Sequence, residues 1–125
     1  MKIIQTSNAP AAIGPYSQAV MRGEWLFLSG QIGTNPATGK LQSDFAGQAR
    51  QSLLNLFGVL EEAGLSAEDV ASVDIFLTDM SQFQSLNKIY EEFFPAYKPA
   101  RLAVEVRALP GGAAIEIRCL ARARA

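Results

Sequence analysis

Two charged residues stand where strand-like sequence would normally bury apolar ones. In Pro99-Ala-Arg101-Leu-Ala-Val-Glu-Val-Arg-Ala-Leu-Pro110-Gly-Gly-Ala-Ala-Ile-Glu116-Ile117, Arg101 opens one β-type run. Glu116 sits inside the next, with an isoleucine on each side. A half-buried guanidinium is costly unless a carboxylate or an anionic ligand satisfies it. Its planar fork matches a carboxylate with two parallel hydrogen bonds. The pair therefore suggests a pocket for a small acid, with a second carboxylate nearby to move a proton.

Three further places carry polar groups that could line such a pocket. Gly14-Pro15-Tyr16-Ser17-Gln18 offers a tyrosine ring and hydroxyl; the plainer reading is a turn followed by a core tyrosine. Leu28-Ser29-Gly30-Gln31 ends an apolar run in small polar residues, where glycine allows close approach of a ligand or merely marks a bulge. Asn87 lies beside Leu86 in a helical pattern and either meets a substrate or faces solvent.

The chain contains no histidine. That excludes a Ser-His-Asp triad, a Cys-His pair, a His-bearing zinc site and a nuclease using histidine as acid and base. Cys119 is the lone cysteine, so an intrachain disulfide and a thiolate metal site are excluded too. It reads as a core or interface thiol in a reducing compartment rather than a nucleophile. Phosphate-loop and dinucleotide fingerprints are absent, and no metal or cofactor is expected. The net charge of −1 gives no general attraction to nucleic acid or acidic membranes. No signal peptide or apolar run of membrane-spanning length is recognised, so a cytoplasmic protein is expected.

The 125 residues, 49% of them hydrophobic, suffice for one domain with a real core. Strands are expected at Lys2–Thr6, Tyr16–Met21 and Trp25–Gly30, the last two forming a hairpin around Arg22-Gly23-Glu24. Asn35-Pro-Ala-Thr-Gly39 is a surface turn. Apolar residues at three-to-four spacing predict a helix over Asp44–Ala63, capped by Ser43 or Asp44 and ended by Gly64. A strand at Val70–Leu77 and a helix at Ser81–Phe94 follow, then strands at Arg101–Ala108 and Ala113–Ala123. The C-terminal Arg122–Ala125 is expected to fray. The order β-β-β-α-β-α-β-β implies an α+β fold, a single mixed β-sheet with two helices packed on one face.

Period two places Leu102, Val104 and Val106 on one face and Arg101, Ala103, Glu105 and Arg107 on the other. Ile115, Ile117 and Cys119 oppose Glu116 and Arg118. With the apolar sets facing the helices, Arg101 and Glu116 would share the far face. If the Pro-Gly-Gly loop closes a hairpin, they lie on adjacent strands. Pattern alone leans towards a solvated Arg–Glu ladder over a pocket.

The whole set of segments resembles the Rid family (YjgF-like, reactive intermediate deaminase), most closely its RidA branch. The resemblance rests on Asn8-Ala-Pro through Gly14-Pro-Tyr-Ser-Gln18, Leu28-Ser-Gly-Gln-Ile32, Asn35-Pro-Ala-Thr-Gly39, Gln48-Ala-Arg-Gln-Ser-Leu53, Asn87-Lys-Ile-Tyr-Glu-Glu-Phe-Phe94, Pro99-Ala-Arg101 and Leu109-Pro through Glu116-Ile117. It implies a chorismate-mutase-like fold and a homotrimer with pockets between subunits. It implies hydrolysis of 2-imino acids or their enamine tautomers, released by pyridoxal-phosphate dehydratases, to 2-keto acids and ammonia. Arg101 would clamp the substrate carboxylate and Glu116 would position or activate water. Tyr16, Ser29, Gly30, Asn87 and Ala103 would line the pocket. The sequence departs from many relatives at Lys98, often aromatic, and at Ala103, often cysteine. Alternative readings are an endoribonuclease or translation inhibitor, and a non-enzymatic trimer that binds small carboxylates.

Overall fold

The computed structural model describes residues 1–124. The strands are β1 (Lys2–Ile4), β2 (Ala19–Arg22), β3 (Trp25–Leu28), β4 (Gln31–Ile32), β5 (Val70–Leu77), β6 (Ala100–Glu105) and β7 (Ile115–Arg122). The helices are α1 (Phe45–Glu62) and α2 (Phe83–Phe93). They form one mixed sheet in the order β1-β2-β3-β7-β5-β6, with β4 also paired to β7. The α+β arrangement read from the sequence is the one observed, with β4 as an addition.

Local chemistry explains the helix ends. The Asp44 carboxylate accepts from the Gly47 N–H at 2.8 Å and caps α1. Gly64, just beyond its last turn, adopts φ +77°, which costs a side-chain-free residue nothing. Leu53, Leu56, Val59 and Leu60 of α1 and Leu86 and Ile89 of α2 are buried with Val73, Ile75, Leu77, Ile115 and Ile117 of the sheet.

The order of the last strands corrects the expected hairpin. β5 lies between β6 and β7, parallel to the first and antiparallel to the second. The helix α2 carries the chain from β5 to β6, a crossover that parallel pairing requires. The eight-residue β5 buries Val70, Val73, Ile75 and Leu77, which suits a strand paired on both edges. The chain from β6 must then pass over β5 to reach β7.

The pairing also reverses the expected face of β6. Val73, Ile75 and Leu77 oppose Arg101, Ala103 and Glu105. Directly paired residues point to the same side of a sheet, so Arg101, Ala103 and Glu105 lie on the helix side. Leu102 and Val104 lie on the open side, and Leu102 is 52% exposed. β7 behaves as its pattern suggested: Ile115, Ile117 and Cys119 face the helices and Glu116 faces away.

The C-terminus does not fray over its described part. Arg122 ends β7 and pairs with Glu24 at 2.7 Å, and Arg124 pairs with the buried Asp69 at 2.8 Å. Ala125 lies outside the described residues. Among the described residues, no helix is long and apolar enough to cross a membrane.

Buried polar side chains pin the loops that the strands leave free. Fully buried Asn55 of α1 donates to the carbonyls of Ile32 and Thr34 at 3.1 and 2.9 Å. Gln48 donates to the Gln42 carbonyl and accepts from the Ala114 N–H. Gly33 packs so tightly on α1 that a Cβ there would meet the Gln48 Cα at 2.4 Å. Truncating Asn55 would remove two hydrogen bonds to part-buried backbone and leave a void at a fully buried position. Asn55→Ala is expected to lower stability by about 2 kcal/mol in chemical denaturation, the cost of the lost hydrogen bonds plus a small void.

Candidate functional site

The candidate residues fall into two clusters on opposite sides of the sheet. The first is a cavity of about 710 Å³ on the open side, lined by Ile13, Tyr16, Ser29, Gly30, Pro110 and Glu116 among others. The second is a shallower cavity of about 260 Å³ at the end of α2, lined by Asn87, Tyr90, Lys98, Pro99 and Arg101. Ala103 lines neither; it packs, half-buried, against the core.

The larger cavity is built by the break between β3 and β4. β3 pairs with β7 at Leu120–Arg122 and β4 pairs with it at Glu116–Ile117. Ser29 and Gly30 bridge the gap. The Ser29 N–H donates to the Gln18 carbonyl at 2.9 Å and its hydroxyl donates to the Ser17 carbonyl at 2.6 Å. Gln18 in turn is buried, accepting from Thr6 N–H at 2.7 Å and donating to the Thr6 and Pro10 carbonyls. One glutamine thus ties the Pro10–Ile13 loop to the start of β2. Tyr16 is not a core tyrosine: it is 52% exposed at the cavity wall.

Gly30 has a defined task. A Cβ there would stand 2.7 Å from one Glu116 carboxylate oxygen and 2.9 Å from its carboxyl carbon. Glycine lets the strand pass the acid without displacing it. Among the described residues the Glu116 carboxylate enters no ion pair. Burial raises its pKa above the ordinary carboxylate value. The neighbouring cation, Arg118, is engaged elsewhere, with Asp74 at 2.9 Å.

Arg101 reaches the other side. Its Nη1 donates to Asn87 Oδ1 at 2.8 Å. Its guanidinium carbon lies 5.3 Å from the Phe83 ring centre and 4.9 Å from that of Tyr90. Asn87 therefore faces the arginine rather than bulk solvent. Lys98 turns its ammonium back to the Phe94 carbonyl. The positions of Phe83 and Tyr90 beside Arg101 escape sequence reasoning, because apolar residues at helical spacing look the same whether they pack in a core or against a cation. The usable signal was their spacing, four before and three after Asn87.

Cys119 is buried, and burial pushes its thiol up to about 12, which leaves no thiolate to attack a substrate. Among the described residues, no group of three His, Cys, Asp or Glu side chains could hold a metal ion.

The family model for endoribonuclease L-PSP matches residues 6–123. The chain is 48% identical over 123 residues to a RutC family protein of Aquifex aeolicus, covering 97% of this chain and 98% of that one. It is 46% identical to the 2-iminobutanoate/2-iminopropanoate deaminase of Escherichia coli K12 over 123 residues, 96% of each chain. The crystal structure of E. coli TdcF with bound serine superposes with a TM-score of 0.96 at 41% identity, covering 99% of this chain and 100% of that one. A small mixed-sheet protein with this sequence similarity over nearly its whole length belongs to the YjgF/Rid proteins. The chain is a member of that family, the one whose model carries the endoribonuclease L-PSP description.

Gly30→Ala is expected to displace the Glu116 carboxylate rather than unfold the protein, because the clash falls on a movable side-chain end. The Glu116 carboxyl should then titrate closer to an ordinary carboxylate, as followed by carbon NMR across an acid titration.

Proposed function

We propose that this chain is a deaminase that adds water to 2-imino acids, or their enamine tautomers, and yields 2-keto acids and ammonia. The observation that carries the reading is that Arg101 and Glu116 are each left without an opposite-charge partner, each at the wall of a cavity. The deaminase name of the E. coli relative supports it. The serine bound to TdcF supports a ligand with an α-carboxylate.

The chemistry follows from the groups. Arg101 binds the substrate carboxylate through two N–H groups and thereby fixes the adjacent C=N carbon. A water oxygen attacks that carbon while Glu116 takes a water proton. The C–O bond forms and the C=N π-pair moves to nitrogen. Glu116 returns the proton to that nitrogen, giving a carbinolamine; it then takes the new hydroxyl's proton and passes it to the amine, the C–N bond breaks as the C=O bond forms, and ammonia leaves a carbonyl behind. Tyr16, Ser29, Gly30 and Asn87 shape the walls. No covalent intermediate is required, which suits a chain without histidine or an accessible thiol.

Within one chain the clamp and the base lie on opposite sides of the sheet, so a single copy cannot apply both to one substrate. We therefore take the working form to be a homotrimer, acting in the cytoplasm, whose clefts join Arg101 of one copy to Glu116 of the next. The open sheet side supports this, with Phe27 51% and Leu102 52% exposed.

Coupling a threonine dehydratase to semicarbazide trapping tests the activity. Parent protein should suppress semicarbazone formation. Arg101→Ala and Glu116→Gln should each lose about a hundredfold or more, the scale of a charge-assisted contact made in the transition state. The base must be ionised, and its pKa is raised. The acidic limb of the kcat/KM profile, which reports the free enzyme, should therefore fall at a pH above the ordinary carboxylate range, and Glu116→Gln should lack that limb. Suppression that survives Arg101→Ala would sink the assignment. Tight binding of 2-ketobutanoate without imine turnover would favour the binding-module reading instead. RNA cleavage abolished by Glu116→Gln would favour the endoribonuclease one.

Mixing tests the shared cleft. Arg101→Ala and Glu116→Gln chains, unfolded together and refolded, should regain about a quarter of parent activity, since a random ring restores one cleft in four. If both groups served from the same chain, mixing would restore nothing.

A further inference from the structure

Arg101 is fastened by one face of α2. Phe83, Asn87 and Tyr90 recur at i, i+4 and i+7, so all three project towards β6. Asn87 accepts one N–H from Nη1. The two rings stand 5.3 and 4.9 Å from the guanidinium carbon. Arg101 enters no ion pair among the described residues. We infer that Phe83 and Tyr90 are positioning residues of the Arg101 clamp, holding the guanidinium in place through their ring faces so that its free N–H edge stays open to an incoming carboxylate.

The choice of rings has a physical reason. An arginine on an exposed strand samples many rotamers, and only a fraction of them would be competent to bind. A neighbouring carboxylate would restrict it, but would also neutralise it and occupy its donors. An aromatic face attracts the cation and consumes no N–H group. Asn87 takes one of the five donors and leaves the rest. The charge is thus oriented without being spent.

The tyrosine acts through its ring and not its hydroxyl. The Tyr90 hydroxyl is buried and has no hydrogen-bond partner. Burial pushes its pKa up to about 12, against the opposing effect of the Arg101 charge, so it stays neutral. Phe83 is half-buried at the margin of the core, so changing its ring disturbs the core less than changing the buried Tyr90.

The inference rests on Arg101 being the carboxylate clamp proposed above, and the experiment separates the two. Titration calorimetry compares 2-ketobutanoate with its neutral primary amide on the full-length protein. The parent should prefer the acid. Phe83→Leu and Tyr90→Leu should each weaken the acid by roughly threefold to thirtyfold while leaving the amide nearly unchanged, and Tyr90→Phe should match the parent. Phe83→Leu decides the matter alone if Tyr90→Leu does not fold. Leucine variants that keep the full acid preference, or that lose acid and amide in equal proportion, overturn the inference and leave the clamp standing. A parent with no preference for the acid overturns the clamp itself, and the inference with it.

Discussion

The insertion of β5 between β6 and β7 governs everything else in this molecule. β5 pairs with β6 over Ser72–Leu77 and with β7 over Val70–Leu77, so both neighbours inherit their facing from it. Val73 sets Arg101 on the helix side, and Phe76 sets Glu116 on the open side. A slip of β6 by one residue against β5 would turn Arg101 to the open side, and a slip of β7 would turn Glu116 inward and expose Ile115 and Ile117, which are fully buried. The hydrophobic core thus fixes the facing of Glu116, and the register with β5 fixes that of Arg101.

Separation has a chemical consequence. An arginine and a glutamate on adjacent strands would pair with each other, and a surface pair of that kind is worth little. Kept on opposite sides, neither is quenched. Arg101 is steadied by an asparagine and two rings, and Glu116 is raised by burial. Neither charge meets an opposite charge among the described residues. Two other arginines of the strands pair, Arg118 with Asp74 and Arg122 with Glu24, whereas Arg22 at the end of β2, like Arg101, enters no ion pair among the described residues.

The loops around Glu116 depend on buried amides. Gln18, Gln48 and Asn55 contact backbone carbonyls and N–H groups from residues 6 to 10, 32 to 34, 42 and 114. Amides carry both donors and acceptors without charge, so they satisfy irregular backbone at modest desolvation cost. They hold the break at Ser29–Gly30 where a ligand-sized cavity opens. Gly30 then decides how closely the chain can approach the acid.

Much of this was legible in the linear sequence. Periodicity located both helices and the strands, and Asp44 and Gly64 marked the ends of α1, because these are effects of neighbouring residues. The alternation around Glu116 assigned its face correctly, since Ile115 and Ile117 flank it. The same rule failed at β6, where Leu102 and Val104 look like a core stripe but lie on the open side. Residue types alone named Arg101, Glu116, Tyr16, Ser29, Gly30 and Asn87 as chemically able, and the absence of histidine closed off most rival chemistries. What the tertiary structure alone decided is which of them stand together. Strand order and register arise from contacts far apart in the chain, and no local pattern could reveal that β5 would part Arg101 from Glu116 or that Phe83 and Tyr90 would meet the arginine.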